Sequence, residues 1–326
     1  MSTDLQPTKP QQNEPNYVTE FLGYALEQVH PLTLAWYGED EIKKQLLEDV
    51  VRDAHEYFSS DFAQEFAAGA AQVLGIAPEH FAHRLLKVSG LRIIAGIRFF
   101  GMDITRPFVE IAGISRPVQS DAERDAISAV LTRAFAVFKP LHWRIFQASH
   151  QPYQFAGCDG DKRVLAGLLG EIKTAAKPNH WERVRLRRAR NLEFYPQYES
   201  ALREIYESHP WLPDVCRIES LEDMREYLAH DEVFEVLVGD EWAGLTIASR
   251  SERFGLRGWY IIEMTLQQRW HGQGLAVAVQ RHLATQLTDE GRDGLFGTIG
   301  AVNLPMLKTA GRVGRIDLGG QFTVRL

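Results

Sequence analysis

The chain has 326 residues, of which 45% are hydrophobic, so it is long enough and apolar enough to form two globular domains. A formal net charge of −7 and a pI near 5.9 argue against a nucleic-acid-binding protein, because such proteins contact many phosphates through Lys and Arg. Two cysteines, Cys158 and Cys216, are too few for a disulfide framework, which predicts a reducing compartment. Neither has the spacing from histidines that a zinc site requires, so no metal is predicted.

The N-terminal segment, residues 1–16, is rich in Pro, Gln and Asn and is predicted to be a disordered tail. It has no apolar stretch of the kind that secretory signals carry. The longest apolar runs, such as "GLRIIAGIRFFG", contain arginines and fall short of the roughly 20 residues that a membrane-spanning helix requires. The sequence therefore predicts a cytoplasmic protein without a membrane partner.

A helix-rich α/β domain is predicted for residues 17–155. Apolar residues recur every four positions from Ile42 to Phe58, which is the helical period. Two strands are expected in "LRIIAGIRFFGM" and "RPFVEIAGISRPV", and a helix over 121–138 opens with a capping-box pair, Ser120 and Glu123. The segment "HWRIFQA" is expected to form another strand.

The Gly-, Lys- and Asp-rich residues 156–182 are predicted to be a linker, and 183–326 to be a second domain. In that domain, alternation and helical periodicity predict an α/β (α+β) order in which helices interrupt a mostly antiparallel sheet. The expected strands are 183–190, 233–238, 243–250, 258–266, 294–300 and 315–325, and the expected helices are 195–208, 220–229, 275–288 and 303–311.

The stretch "RWHGQGLA", residues 269–276, follows a predicted strand and opens a helix with one apolar face. A helix N-terminus leaves backbone N–H groups unpaired and carries partial positive charge, which favours an anion. Gly272 and Gly274 can adopt positive φ and present successive amides to a phosphate. The alternative is a plain strand-to-helix turn.

Arg269, Gly272 and Gly274 match the R/Q-x-x-G-x-G/A signature, and this stretch resembles the pyrophosphate-binding loop of the GNAT (Gcn5-related N-acetyltransferase) superfamily. A second match lies downstream in "NLPMLKTAGRVG", where Asn303 could otherwise be an ordinary helix N-cap. The resemblance covers about 183–326. The third glycine and distal acid of a dinucleotide-binding fingerprint are missing, as is a G-K-[ST] triphosphate loop.

The resemblance implies a GNAT-type mixed sheet flanked by helices and an N-acyltransferase that moves an acyl group, acetyl above all, from acyl-coenzyme A to the amine of a small molecule. It implies that the strand before the loop splays from its neighbour and receives the pantetheine arm on its backbone. The positions thereby expected to bind coenzyme A are Met264, Leu266, Arg269, Trp270, His271, Gly272, Gln273, Gly274, Leu275, Ala276 and Asn303.

Glu263 is the nearest candidate for the catalytic base. It lies in the apolar stretch "YIIEMTL", where desolvation would raise the pKa of its carboxyl toward a useful value. The alternative is that Glu263 faces solvent and pairs with an arginine. Tyr260 and Glu235 are weaker candidates for the same role.

Many GNAT members place a tyrosine seven residues after the Asn of the second motif, where it protonates the leaving thiolate, but this chain has Ala310. Either water or a group such as Lys308 replaces that acid, or the domain binds acyl-coenzyme A without turning it over, as a sensor or scaffold would. An aminoacyl-tRNA-dependent transferase is a further alternative, which the acidic chain disfavours.

Two other segments have a structural and a functional interpretation. The run "RVRLRRAR", residues 183–190, alternates apolar and basic residues as a half-buried strand does, although a clamp for the 3′-phosphate of coenzyme A is the alternative. In the first domain the stretch "SRPVQSDAERDA" has no glycine and three acids, which would repel a phosphate. If that domain is a GNAT copy, as tandem members suggest, it is a degenerate one.

Overall fold

The structure, a computed structural model, describes residues 15–57, 60–153, 155, 158–214 and 216–326. The chain divides into two compact units, of which unit 1 comprises Met1–Asp161 and Gly319–Leu326, and unit 2 comprises Lys162–Leu318. The predicted disordered tail lies outside the described residues except for 15 and 16, where the first helix begins.

Unit 1 begins with helices and continues with strands. Its helices are α1 (Pro15–Glu27), α2 (Pro31–Tyr37), α3 (Glu39–Tyr57), α4 (Ser60–Ala67), α5 (Ala71–Leu74) and α6 (Asp121–Ala134), and its strands are β1 (Arg84–Val88), β2 (Leu91–Phe99), β3 (Pro107–Ile114) and β4 (His142–Ala148). The end of the last strand of the chain, β11 (Ile316–Arg325), also belongs to unit 1 from Gly319 onward.

The sheet of unit 1 is mixed. β1, β2 and β3 pair antiparallel, β3 and β4 pair parallel, and residues 319–325 of β11 pair antiparallel with β4. The buried Trp143 of β4 packs in the same core as Ile127 and Leu131 of α6, and its indole N–H donates to the Ser128 hydroxyl at 2.8 Å. The apolar face of α6 thus packs in the core of the unit 1 sheet.

Unit 2 contains the remaining elements. Its helices are α7 (Leu169–Thr174), α8 (Tyr195–Ser208), α9 (Leu221–Ala229), α10 (Leu275–Gln286) and α11 (Leu304–Val313). Its strands are β5 (Asp159–Leu168), which belongs to this unit from Lys162 onward, β6 (Val184–Arg188), β7 (Val233–Val238), β8 (Glu241–Arg253), β9 (Leu256–Leu266) and β10 (Gly294–Gly300). Strands β6, β7, β8 and β9 pair antiparallel in that order, β9 and β10 pair parallel, and β10 and β5 pair antiparallel.

Helices cover both faces of this sheet. Leu275, Val279, Leu283 and Leu287, the predicted apolar face of α10, are all buried, and they pack with β6–β8 and α7. On the opposite face, α8 and α9 pack on β7 and β8 through Leu202 and Met224, among others. Edge strand β6 turns Val184 and the half-buried Leu186 toward α10, as its alternation predicts, whereas Ala189 follows the strand and is buried in the cluster of α8 and α9.

The predicted fold class is confirmed, because unit 2 has a mixed, mostly antiparallel sheet flanked by helices. The predicted linker 156–182 differs from the structure, in which Asp159–Leu168 form β5 and Leu169–Thr174 form α7. Charged and glycine residues adopt a strand there because β10 provides a seven-residue ladder. The short strand β1 was not among the expected strands.

Within the described part of the chain, no helix combines the length and apolar character needed to cross a membrane.

Candidate active site

Strands β9 and β10 form a wedge in unit 2. Their parallel ladder has three residue pairs and ends at Tyr260 and Phe296, whereas the two strands continue to Leu266 and Gly300. Gly258 starts this ladder with a φ of 129°, and a Cβ there would lie 2.4 Å from a backbone oxygen of β10, so the close approach requires glycine. The strands therefore meet tightly at one end and separate toward the loop.

A β-bulge in β9 accompanies the separation. The register against β8 pairs Ile261 with Ala248 and Glu263 with Ile247, so that Ile262 has no opposite residue. Bulges bend and twist a strand and re-aim its side chains. The bulge immediately precedes Glu263, and it therefore sets the direction of that side chain.

The loop after β9 carries the predicted glycines in the expected conformation. Gly272 has a φ of 71° and Gly274, the N-cap of α10, has a φ of 74°. A Cβ at Gly272 would meet nothing within 4 Å, so the space above the loop is open. Residues 271–274 are exposed.

The amides of this loop are unpaired. Within the described residues, the backbone N–H groups of Gly272, Gln273, Gly274 and Leu275 donate to no carbonyl or side chain, whereas those of Trp270 and His271 close the preceding 3₁₀ turn. Successive free N–H groups at a helix N-terminus form an anion-binding concavity. The loop thus has the geometry of a phosphate cradle.

Hydrogen bonds and an ion pair of its side chains stabilise the loop. The His271 ring nitrogen Nε2 lies 2.8 Å from the Leu266 carbonyl, and Gln273 donates to the Arg269 carbonyl at 2.9 Å. The Arg269 guanidinium pairs with Glu241 at 3.0 Å and donates to the Gln267 side chain. These bonds stiffen the loop, and the Arg269 side chain is already engaged by protein groups.

The other predicted coenzyme A contacts lie around the same loop. Trp270 is half-buried behind it, Leu275 is buried at the start of α10, and Ala276 is half-buried. Met264 and Leu266 lie on β9 where it has left β10, and both pack toward α10. The backbone carbonyl of Leu266 is the one that lies within hydrogen-bond distance of the His271 ring.

Two basic residues that the sequence analysis did not single out, His180 and Arg183, lie beside the cradle. His180 adopts a left-handed backbone conformation, and its ring lies 3.7 Å from the position of a Cβ on Gly274. Arg183 donates to the Gln273 side chain at 3.4 Å. His282 of α10 stacks on Trp181 at 3.6 Å between ring centroids and thereby fixes the segment that carries both.

The second motif begins α11. The Asn303 side chain accepts the Met306 N–H at 3.2 Å, so it acts as the helix N-cap that the alternative interpretation describes. Seven residues on, Ala310 is fully buried (0% exposed) and packs with Leu165 and Ile299. Lys308 is exposed. The position that many GNAT members give to an acid is therefore a core position in this chain.

Glu263 lies in a buried polar cluster. Its side chain is 5% exposed, and its Oε1 accepts the Thr265 hydroxyl at 2.8 Å. Oε2 accepts the Tyr198 hydroxyl at 3.2 Å and lies 3.9 Å from the Cys216 thiol. The alternative in which Glu263 faces solvent and pairs with an arginine is therefore wrong.

Burial controls the protonation of this cluster. Desolvation is the largest influence on Glu263 and raises the pKa of its carboxyl above the ordinary value, against the lowering effects of Thr265 and Tyr198. Desolvation and the nearby Glu263 also raise the pKa of the Cys216 thiol, which keeps it protonated. The cluster therefore has a carboxyl that can gain a proton more readily than a solvated one.

The weaker base candidates have other partners. Glu235 pairs with Arg187 at 3.0 Å, and the Tyr260 hydroxyl lies 2.8 Å from that of Thr298, across the open end of the β9–β10 ladder. Two further arginines of the basic run also pair with acids, Arg185 with Asp240 and Arg188 with Asp231. These pairs favour the solvated strand face over a phosphate clamp.

Unit 1 has the corresponding strand–loop–helix segment, β3 to α6, but the N-terminus of its helix is closed. The Glu123 carboxylate accepts the Gln119 N–H at 2.9 Å and pairs with Arg116 at 2.6 Å. The Ser120 hydroxyl accepts the Glu123 N–H at 3.3 Å. A carboxylate of the chain itself thus lies at the start of this helix, where its negative charge would repel a phosphate.

Sequence patterns could not identify the partners of Glu263. Tyr198 and Cys216 are 65 and 47 residues away along the chain, and no motif links them. His180 likewise falls in the segment that composition assigned to a linker. Only the tertiary structure brings these residues to β9 and to the loop.

No protein-family model matches this chain, and no curated protein matches it. In structure it is similar to a GCN5-related N-acetyltransferase from Sphaerobacter thermophilus (12% identity, 72% of this chain and 76% of that one, TM-score 0.48). It is also similar to a GNAT-family acetyltransferase from Colwellia psychrerythraea (12%, 78% and 89%, TM-score 0.47) and to a tandem GNAT protein from the clavulanic acid biosynthesis pathway (13%, 74% and 82%, TM-score 0.37). Similarities this distant assign no activity.

The arrangement within unit 2 is the one that the sequence resemblance implied. A strand separates from its parallel neighbour, a glycine loop follows it, and a helix begins at that loop. Unit 2 therefore has the order of strand, loop and helix that the resemblance implied.

Proposed function

We propose that this protein is an acyl-coenzyme A-dependent N-acyltransferase that transfers an acyl group, acetyl in the simplest case, to the amine of a small molecule. The observation that carries the proposal is the conjunction, on one strand, of a buried carboxyl at Glu263 and an open cradle of unpaired amides at its end. The carboxyl can accept the proton that the amine must lose, and the amides can bind the pyrophosphate of the acyl donor.

The cradle would hold the pyrophosphate through the amides of 272–275 and the N-terminal end of α10. Positive φ at both glycines turns these amides outward without side-chain obstruction. His180 and Arg183 lie beside the loop and add positive charge to the same region when the histidine is protonated. The wedge beyond Tyr260 leaves β9 backbone groups available to the pantetheine arm.

Glu263 would act as the base. A primary amine with a pKa near about 10 is largely protonated at neutral pH and must lose a proton before it attacks. The amine nitrogen then forms a bond to the thioester carbonyl carbon, the C–S bond breaks, and the thiolate takes a proton to become free coenzyme A. Glu263 accepts the proton that the amine loses, and the raised pKa of its carboxyl suits this task.

The burial of Ala310 bears on the last step and favours a second candidate function. No hydroxyl at that position protonates the thiolate, and the exposed Lys308 or water would have to do so. A protein that binds acyl-coenzyme A as a sensor, without transfer, needs no such acid. The buried Glu263 cluster, which a sensor does not need, favours the enzyme.

The test separates binding from catalysis. Isothermal titration calorimetry with coenzyme A and acetyl-coenzyme A measures binding, and thiol release with a panel of primary amines measures transfer. We expect binding of both and amine-dependent thiol release. Binding without release for every amine would support the sensor, and the absence of binding would refute both functions.

A further inference from the structure

Three tyrosines of α8 contact the backbone of residues 216–219, the segment that precedes α9. The Tyr206 hydroxyl donates to the Cys216 carbonyl at 2.7 Å, and the Tyr195 hydroxyl donates to the Glu219 carbonyl at 3.0 Å. The Tyr198 hydroxyl oxygen accepts the Glu219 N–H at 3.0 Å. We call residues 216–219 the clamped segment.

Tyr198 differs from the other two tyrosines, because its hydroxyl has a second partner. It is fully buried (0% exposed) and donates its proton to Oε2 of Glu263 at 3.2 Å while it accepts from Glu219. A phenol that both accepts and donates has its O–H direction fixed by the accepted bond. The position of the clamped segment therefore determines where the Tyr198 proton points.

We propose that Tyr198 is a positioning residue, which orients the Glu263 carboxylate and couples that orientation to the clamped segment. This inference rests on the proposed function, in which Glu263 is the base. Thr265 holds Oε1 from β9 itself, at 2.8 Å, so the strand fixes one oxygen and α8 fixes the other. Two donors on opposite oxygens leave the carboxylate a single orientation.

The clamped segment also brings the Cys216 thiol to the same oxygen of Glu263 as Tyr198, at 3.9 Å. A buried phenol in a purely apolar wall would gain nothing from its hydroxyl, because phenylalanine fills nearly the same volume without a polar group to satisfy. The Tyr198 hydroxyl is instead satisfied on both sides by groups of the candidate site. Its role is therefore specific to Glu263 and Glu219.

The groups that act on Glu263 come from four elements. Tyr198 and Tyr206 lie on α8, Cys216 and Glu219 lie on the clamped segment, and Thr265 and the backbone N–H of Met264 lie on β9; the fourth element, β5, acts indirectly, through the effect of Lys162 on Cys216. Of these, Tyr198 and Thr265 lower the pKa of Glu263 by donating to its charged form, and the negative charge of Glu219 raises it. Removal of the Tyr198 hydroxyl should therefore raise the pKa of Glu263 further.

The experiment compares Tyr198→Phe with Tyr195→Phe in the full chain. Both variants remove one hydroxyl bond to Glu219, but only the first removes a bond to Glu263. Two readouts apply: the pH profile of kcat/KM with acetyl-coenzyme A and the best amine of the panel, and the titration of Glu263 by NMR with ¹³C-labelled glutamate. The second readout does not require turnover.

For Tyr198→Phe we expect the acid limb of the profile and the Glu263 titration to move together to higher pH. We also expect kcat at neutral pH to fall on the order of tenfold to a hundredfold, because a displaced base loses orientation, while KM for acetyl-coenzyme A stays unchanged. Tyr195→Phe, which removes one of three bonds to the clamped segment and keeps the bond from Tyr198 to Glu263, should change both readouts by less than Tyr198→Phe does. Replacement of Tyr198 by 3,5-difluorotyrosine, a stronger donor of similar size, should move both readouts to lower pH.

An unchanged Glu263 titration in both the phenylalanine and the difluorotyrosine forms of residue 198 would overturn the inference. So would an equal change in the Tyr195→Phe control. If Tyr198→Phe does not fold, the difluorotyrosine form alone decides by the direction of its shift. A wild-type protein that does not bind coenzyme A refutes the proposed function instead, and normal turnover with unmoved titrations refutes only the role of Tyr198.

Discussion

The cradle at residues 272–275 makes the most decisive prediction, through the double substitution Gly272→Ala and Gly274→Ala. Both glycines have positive φ, where an L-residue costs about 1–2 kcal/mol. Either the backbone keeps its conformation and loses that much stability, or it relaxes and turns the amides away. Because space at Gly272 is open, no steric clash is available to explain an effect on binding there.

The expected loss of affinity follows from the amides. A hydrogen bond to a charged group contributes about 1.5–3 kcal/mol, so two misdirected amides cost about 3–6 kcal/mol. That corresponds to a loss of affinity for coenzyme A on the order of 10² to 10⁴. Isothermal titration calorimetry measures the change, and thermal unfolding measures the loss of stability.

Gly291→Ala is the matched control. Gly291 has a φ of 78° with nothing within 4 Å of a Cβ, and it lies in the turn before β10 rather than in the cradle. It should lose comparable stability per site and keep wild-type affinity. The reasoning is refuted if the double variant binds coenzyme A as the wild type does, or if Gly291→Ala weakens binding equally.

Three further predictions concern Glu263 and unit 1. Glu263→Gln should lower kcat by a factor of about 10² to 10⁴, while the affinity for coenzyme A measured by calorimetry stays unchanged. An amine that is already uncharged at neutral pH should recover part of the lost kcat. An equal loss of kcat for all amines would contradict the role of Glu263 as a base. The same variant should become more stable than wild type as pH rises, as measured by thermal unfolding. In the wild type, a carboxyl with a raised pKa in the folded state stabilises the protein fully below its unfolded pKa, and this contribution is lost as pH rises through the folded pKa. A stability difference that does not depend on pH would contradict the buried titration of Glu263. Calorimetry should give one coenzyme A per chain, since Glu123 closes the helix of unit 1; two sites would show that this closure yields to phosphate.

Local patterns predicted the elements of unit 2 closely, because hydrophobic periodicity and glycine placement are encoded within short windows. The expected strand 294–300 and helix 195–208 match β10 and α8 residue for residue. The segment Asp159–Leu168 was missed, because charged and glycine residues mask its alternation and its strand conformation depends on pairing with β10, 126 to 138 positions away. The end of β11 belongs to unit 1 for a similar reason, through its ladder with β4.

The site shows the same division between local and long-range information. The cradle could be predicted from "RWHGQGLA" because its conformation depends on the glycines themselves. The Glu263 side chain, by contrast, had two possible surroundings, and the choice between them depended on α8 and on the clamped segment. A single residue in an apolar strand predicts burial but does not identify its donors.

The two units of the same chain offer an internal comparison for the cradle. At the start of α6, a serine hydroxyl and a glutamate carboxylate of the chain accept backbone N–H groups, and an arginine neutralises the carboxylate. At the start of α10, four successive amides are unpaired among the described residues, and two of the four residues are glycines with positive φ. The sequence around Ser120 shows that a cap is readily built at such a position. Because a carboxylate of the chain itself caps α6 and none caps α10, the proposed phosphate binding applies to α10 and not to α6.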